Sequence, residues 1–426
     1  MKNLSKTLWL VAILFMIGGI YISSIQTDPE KEKWDGIRAG VSKILVTPEK
    51  PVRMSGYAAR KDPFKGVHDD LYASAIVFDN GENKACLISV DVIGFSNDFV
   101  DDTKKMITKS TGVQEDFILL AAAHNHGGPT TRAYGGEATN NEKEYAEILQ
   151  KKIVQIAKEA NGKLQSVRIG AGKGSCHMNI NRRANHADGG IWLGRNPEGV
   201  CDTDVGVIRI DNMQSETIAV WVNWPCHATT GGQQNYQITG DWPGATARNV
   251  EKAYEGAVVL VTAGASGDIN PVYGPNDNFS DINAIGLTLG NEVIRVCKEI
   301  ETYSHKDIKA ISNPVIAKGK KRSENRMPNV SLEPGDDVEI RMASIKIGNI
   351  VISGISGELM NEIGLKAKED SPYKYTFIVS NSNGGSGYLC TDKAYKEGGY
   401  EPMSARTMPG TQKLIEDNFK DMNNGL

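Results

Sequence analysis

Charge of a single sign is scarce in this 426-residue chain. Its 48 basic and 52 acidic residues leave a formal charge of -4, and no long run of like charge occurs. The electrostatic footprint of a nucleic-acid binder is therefore missing. Six cysteines (Cys86, Cys176, Cys201, Cys226, Cys297 and Cys390) are scattered without a C-x-x-C pair. They do not read as a dense disulfide framework, and any pairing is illegible. There is no internal repeat and no low-complexity tract. Aromatics are sparse at 7%, against 45 glycines, which fits a loop-rich enzyme better than a helical bundle. Histidine is also scarce, at seven residues, so its placement carries information.

The N-terminus departs from this mixed composition. Residues 7–27 are uncharged, follow Lys2 and Lys6, and contain an apolar core from Leu8 to Ile22 followed by Ser23 and Ser24. A basic flank, an apolar core and small residues resemble a secretory signal. The uncharged stretch is also long enough to serve as an uncleaved anchor, giving membrane association through residues 7–27. Either way the protein is expected to be exported: periplasmic, held at the cell envelope or secreted. No cysteine follows the core, which argues against a lipoprotein anchor. Residues 28–36 read as a charged linker, and 37–426 as the main folded domain.

The most informative stretch is Phe117-Ile-Leu-Leu-Ala-Ala-Ala-His124-Asn-His126-Gly-Gly-Pro129. In an extended strand residues i and i+2 share a face, so His124 and His126 project together from the strand's carboxyl end. Two imidazoles there suit a zinc ion, or one ligand beside an acid/base. Alone, the pair is as readily structural. Other apolar runs repeat the pattern. Ile218 to Trp224 leads to His227, Val258 to Ala263 to Gly267-Asp-Ile-Asn-Pro271, Ile350 to Ile355 to Glu358, and Tyr375 to Val379 to a glycine-rich loop and Tyr388. Convergence of these ends would build a site of nitrogen and oxygen donors. That favours zinc over calcium, which takes oxygen ligands, and over iron–sulfur clusters, which need thiolates.

Elsewhere strand-like and helix-like runs alternate. Residues 86–95 read as a strand, and 142–160 as an amphipathic helix with Tyr145, Ile148, Ile153 and Ile156 on its apolar side. Residues 205–210 and 217–223 read as a hairpin. Helices are expected over 246–254 and 282–299, and strands over 307–350 with a polar insertion from Lys318 to Asp337. The fold class is α/β, a mixed sheet with flanking helices.

In order along the chain stand Thr47-Pro48, Met54-Ser-Gly-Tyr57, His124-Asn-His126, Asn179-Ile-Asn-Arg182, His227, Thr239-Gly-Asp241, Gly267-Asp-Ile-Asn-Pro271, Gly357-Glu358, Gly387-Tyr388 and Tyr400-Glu401. This ordered set resembles the catalytic domain of the neutral (non-lysosomal) ceramidases, zinc amidases that cleave an N-acyl bond. The resemblance implies zinc ligands at His124, His227, Glu358 and Tyr388, and places His126, Arg182 and Tyr400 around the scissile bond. Zinc so held lowers the pKa of a water to about 7, making it a nucleophile for a carbonyl. His126 would then move a proton, and Arg182 and Tyr400 would donate to the developing oxyanion. One position departs from the family pattern: Asn270 stands where the family has a serine. A hydroxyl nucleophile is unavailable there, and Asn270 is left a hydrogen-bonding role. The family's C-terminal immunoglobulin-like domain also finds no counterpart in these residues.

The expected function is thus an exported zinc-dependent hydrolase acting on an amide or related bond of a lipid or other small molecule. A polar, carbohydrate-type substrate is the alternative, because Asn181-Arg-Arg-Ala-Asn-His-Ala-Asp188 is strongly polar. A non-catalytic binding homologue is a further reading. A His-x-His amidohydrolase barrel is disfavoured, for want of a regular eight-fold strand–helix alternation. Oligomeric state is not legible.

Overall fold

A computed structural model describes residues 35–131, 137–187, 189–322 and 330–426. The expected signal or anchor, and most of the linker, lie outside these. Among the described residues no helix is long and apolar enough to cross a membrane. Gly36–Leu426 forms one compact unit.

Two mixed sheets stack face to face, where the sequence reading anticipated one. The larger has eight strands in the spatial order Val258–Ala263, Thr217–Trp224, Asp204–Asn212, Gln165–Ser175, Arg38–Leu45, Tyr72–Asp79, Lys84–Val90 and Ile118–Ala122. Its outermost pairs are parallel and the rest antiparallel. It consists of two halves joined at the middle only by Arg38 with Ser166 and Ala39 with Gln165. The halves fold towards each other, so that the Ser89 hydroxyl on one reaches the Val261 carbonyl on the other. The smaller sheet runs Ile308–Ser312, Met342–Ile347, Ile350–Ile355, Tyr375–Val379.

Alternation along the strands explains the stacking. Ile208, Ile210, Trp221, Leu260, Phe78 and Leu119 point inwards and pack on Ile345, Ile347, Ile352 and Phe377 of the smaller sheet. The intervening Val205, Val207, Val220, Val222 and Val261 point outwards under helices Asp241–Ala253 and Phe279–Glu299. Helices Asn97–Thr111 and Asn140–Gly162 cover the other half in the same way. On the far side, Ile363 of helix Asn361–Glu369 and Ile415, Phe419 and Met422 of helix Thr411–Gly425 cover the smaller sheet. Strands buried on both faces read as unbroken apolar runs, which is why these segments stood out in the sequence.

Several boundaries differ from expectation. The strand expected over 86–95 ends at Val90, because the Asp91 carboxylate takes the Tyr72 N–H at 2.8 Å and the chain turns. The helix expected from Thr246 begins at Asp241; Pro243 lies in its first turn, where a missing N–H costs nothing. Ile148 is not on the buried face of its helix but 41% exposed. The two ends of the 318–337 insertion are strand, since Val315–Lys320 pairs with Pro334–Ile340; residues 323–329 fall outside the description. The hairpin of Asp204–Asn212 and Thr217–Trp224 is as expected. All six cysteines are free thiols.

Candidate active site

The five strand ends meet. The His126 N–H donates to the Ala228 carbonyl at 3.0 Å and the His227 N–H to Ile269 at 3.0 Å. Ser380 N–H reaches the Ala263 carbonyl, and Asn381 N–H that of Gly357, both at 3.0 Å. Glu358 and Tyr388 are partners in a short parallel bridge. Backbone hydrogen bonds thus lash together loops from both halves of the large sheet and from the smaller one.

Three side chains converge at the centre. Glu358 Oε2 lies 3.1 Å from His227 Nε2 and 3.4 Å from His124 Nε2. The far side of each ring is fixed by a backbone carbonyl. His124 Nδ1 contacts Ile93 O at 2.8 Å, and His227 Nδ1 contacts Ser266 O at 2.7 Å and Ile269 O at 3.1 Å. A carbonyl can only accept, so Nδ1 carries a hydrogen and Nε2 is the nitrogen turned inwards, the arrangement that orients metal-ligating histidines. His124 achieves this with φ +56°, a left-handed conformation uncommon outside glycine and frequent at functional sites. Burial, then the Arg182 charge, lowers the His227 pKa to about 4. The ring is therefore neutral at pH 7, as a ligand must be. Burial alone would raise the Glu358 pKa, but His124 and His227 beside it hold the carboxyl well below its usual range.

His126 sits at the edge of this group, with Nε2 3.4 Å from His124 Nε2. Burial and the two neighbouring imidazoles push its pKa well down. Its Nδ1 is buried with no partner among the described residues. The ring lies directly on Gly56, whose φ is +96°; a Cβ there would stand 2.3 Å from His126 Nδ1. Nitrogens of His124, His126 and His227 all lie within 4.8 Å of one another. A three-histidine set is therefore an alternative to the expected set of His124, His227, Glu358 and Tyr388. Donor chemistry fits zinc in either case.

Tyr388 hydrogen-bonds Glu358, and burial with that carboxylate raises its pKa well above normal. Arg182 donates from Nη2 to the Tyr388 hydroxyl at 3.1 Å, and from Nη1 to Asn270 Oδ1 at 3.2 Å. The same Nη1 is 3.2 Å from His227 Nε2. Tyr400 stands further out, its ring edge-on to Tyr388 with centroids 5.7 Å apart and to Trp192 at 6.0 Å. The structure thus gathers all eight expected residues, with Tyr400 on the rim. Cys226 is fully buried under Trp242 and its thiol pKa is pushed well up by burial, in keeping with a packing role. His177 and His186, beside the Arg182 strand, are exposed.

The sequence reading gave no role to Glu401, Arg183, Asn181 or Asp268. Glu401, 1% exposed, bridges Arg182 and Arg183. The Asp268 carboxylate accepts from the Asn361 N–H at 2.8 Å and from Asn181 Nδ2 at 3.1 Å. Asn181, Asp268 and Glu401 stood inside the ordered motifs and Arg183 directly after one, which was the signal available for them.

A mixed α/β sandwich carrying a buried histidine–carboxylate cluster, with arginine and tyrosine beside it, defines the class. Residues 38–278, over half the chain, match the family model described as neutral/alkaline non-lysosomal ceramidase, N-terminal. The chain belongs to this family. It is 27% identical over 253 residues to neutral ceramidase A of Dictyostelium discoideum, covering 53% of this chain and 34% of that protein. With neutral ceramidase B of the same organism it shares 26% over 278 residues, 60% of this chain and 38% of the relative. The match thus spans little more than a third of these relatives' lengths. Among solved structures, one titled as ceramidase complexed with C2 superposes with TM-score 0.77 at 16% identity, covering 91% of this chain and 75% of that one. The neutral ceramidase from Pseudomonas aeruginosa gives TM-score 0.76 at 17% identity, covering 91% and 74%. These two likenesses establish the fold.

Proposed function

We propose that the protein is a zinc-dependent hydrolase of an N-acyl (amide) bond, acting outside the cytoplasm. The observation that carries the proposal is the inward pair of Nε2 atoms on His124 and His227 around the Glu358 carboxylate, each ring locked through Nδ1. His124, His227 and Glu358 would hold the metal, with Tyr388 as the fourth ligand. Zinc there would supply a water of pKa about 7 and polarise a carbonyl.

The remaining roles fall to the chain's own side chains. His126 is neutral and carries an unpinned Nδ1, which suits a group that takes a proton and passes it to the leaving nitrogen. It lacks the second-side hydrogen bond that both His124 and His227 possess, which supports acid/base duty over metal binding. Arg182 presents two terminal N–H groups to the same space, and Tyr400 stands at its rim to donate to charge developing on the carbonyl oxygen. Asn270 can hydrogen-bond but cannot form an acyl-enzyme.

The substrate's other half has two readings. Ceramide-like lipid follows the relatives' names. A hydroxylated, sugar-type amine is favoured by Asn270 and by the exposed Asn185 and His186 at the end of the Arg182 strand. Hydrolysis of short-chain ceramides and N-acylated hexosamines, before and after chelation and after zinc restoration, tests both. Absence of turnover on every N-acyl, ester and glycoside substrate would favour a non-catalytic binding protein.

A further inference from the structure

Arg182 and Arg183 are consecutive residues of a strand, and consecutive strand residues normally point to opposite faces. Here both reach one carboxylate. Arg182 Nε donates to Glu401 Oε1 at 2.7 Å and Arg183 Nη1 to Glu401 Oε2 at 2.8 Å. The cause is a register shift between Asn181 and Arg183 against the neighbouring strand. The neighbour spends three residue steps, Asn196 to Leu193, against two here, Asn181 to Arg183, so its extra residue lies opposite Arg182 and the pair is locally twisted. The Arg182 strand is held at this shift by two hydrogen bonds: the Arg182 N–H goes to the Asp268 carbonyl at 2.8 Å, and the Arg183 N–H to Asn181 Oδ1 at 2.9 Å. Arg183 is anchored in turn by the Gly398 carbonyl at 2.8 Å and Glu397 at 3.2 Å.

A guanidinium is a rigid planar fork. Once Nε is fixed, the directions of both terminal nitrogens are fixed with it. In Arg182 those two nitrogens face Asn270, His227 and Tyr388. The hydrogen bonds of the Glu401 carboxylate go instead to Arg182 and Arg183.

We propose that Glu401 is a positioning residue: it clamps Arg182 through Nε so that Nη1 and Nη2 are aimed at the reacting carbonyl oxygen before substrate arrives. The proposal rests on the hydrolase reading above. Its rival is charge balance alone, since a buried carboxylate beside two arginines also offsets their charge.

The double variant E401L/R183M, which removes the acceptor as well as the charge, separates the two. Wild type buries two arginines and one carboxylate at this place, and the variant one arginine and none, so the net charge is unchanged. The measurements are kcat, KM and melting temperature of the zinc-loaded proteins, and water exchange of the Arg182 Nε–H by NMR on arginine-labelled protein. The clamp predicts a folded variant with kcat lowered about 100-fold, as for a displaced catalytic group, a KM within about threefold of wild type, and a rapidly exchanging Arg182 Nε–H. Wild-type kcat in the double variant, or an unchanged exchange rate, would overturn it. So would a wild-type protein whose Arg182 Nε–H already exchanges freely, whether or not the variant folds. If wild type cleaves no N-acyl substrate, the hydrolase reading fails, and the exchange measurement still decides the clamp.

Discussion

Glu358 Oε2 lies 3.1 Å from His227 Nε2, although the two residues are 131 positions apart and follow strands of different sheets. If they share a metal, removing either should cost metal and turnover together. H227A, E358Q and Y388F are each expected to lower zinc content, measured after gel filtration, in step with kcat/KM. A variant that keeps full zinc while losing activity would take its residue out of the ligand set.

His126 provides the complementary case. H126A should keep its zinc and lose about 10²–10⁴-fold in kcat, the range of a general acid/base. Zinc loss in this variant would mean that the three-histidine set is the ligand set.

Gly56 offers a way to disturb His126 without changing it. In G56A the new Cβ meets the imidazole, and a φ of +96° is unfavourable for alanine. The backbone cost is about 1–2 kcal/mol. Activity is expected to fall towards that of H126A with zinc retained. Wild-type activity in a folded G56A would show that the position of the His126 ring is immaterial.

Asn270 should act only through hydrogen bonding. N270A is expected to lose about 10²–10³-fold, as for one oxyanion donor. N270S restores the hydroxyl of the family pattern, and a gain of ceramide hydrolysis there would mean that this residue sets substrate choice. Mass spectrometry of quenched wild-type reactions should find no acyl adduct; a trapped adduct would refute attack by water.

Away from the site, Glu142 accepts from Arg53 Nε at 2.6 Å and Nη2 at 2.8 Å, and closes the capping box with Thr139. The Arg53 hydrogen bond, foremost, lowers its pKa from 4.5 to about 2. A depressed carboxyl pKa adds stability that is complete above the unfolded value and is lost as pH falls through the folded one. E142Q should therefore destabilise by about 1–3 kcal/mol at pH 7. The gap should narrow between pH 4.5 and pH 2 in urea titrations. A gap independent of pH would mean that the charge contributes nothing.

Much of the site was legible because each strand buried on both faces reads as an apolar run, and the run's end marks where polar groups emerge. His124, His227, Glu358 and Tyr388 stand at such ends. What was hidden depends on three-dimensional partners. The stacking of two sheets, the exposure of Ile148 and the shared carboxylate of Arg182 and Arg183 leave no periodic trace. The register shift opposite Arg182 comes from an extra residue on the neighbouring strand, which the sequence around Arg182 does not display. Boundaries moved where a side chain replaced a backbone partner, as Asp91 does at the end of its strand.

The narrow join at the middle of the large sheet has a thermodynamic corollary. His124 hangs from one half, His227 from the other and Glu358 from the second sheet, so an ion, if held by all three, would be a keystone. Its binding is then linked by mass action to the unfolding of all three walls, and at 100 times its Kd it raises global stability by about 2.7 kcal/mol. A chain starved of that ion would open first along this join, with faster amide exchange in residues 38–39 and 165–166 than in the strands on either side.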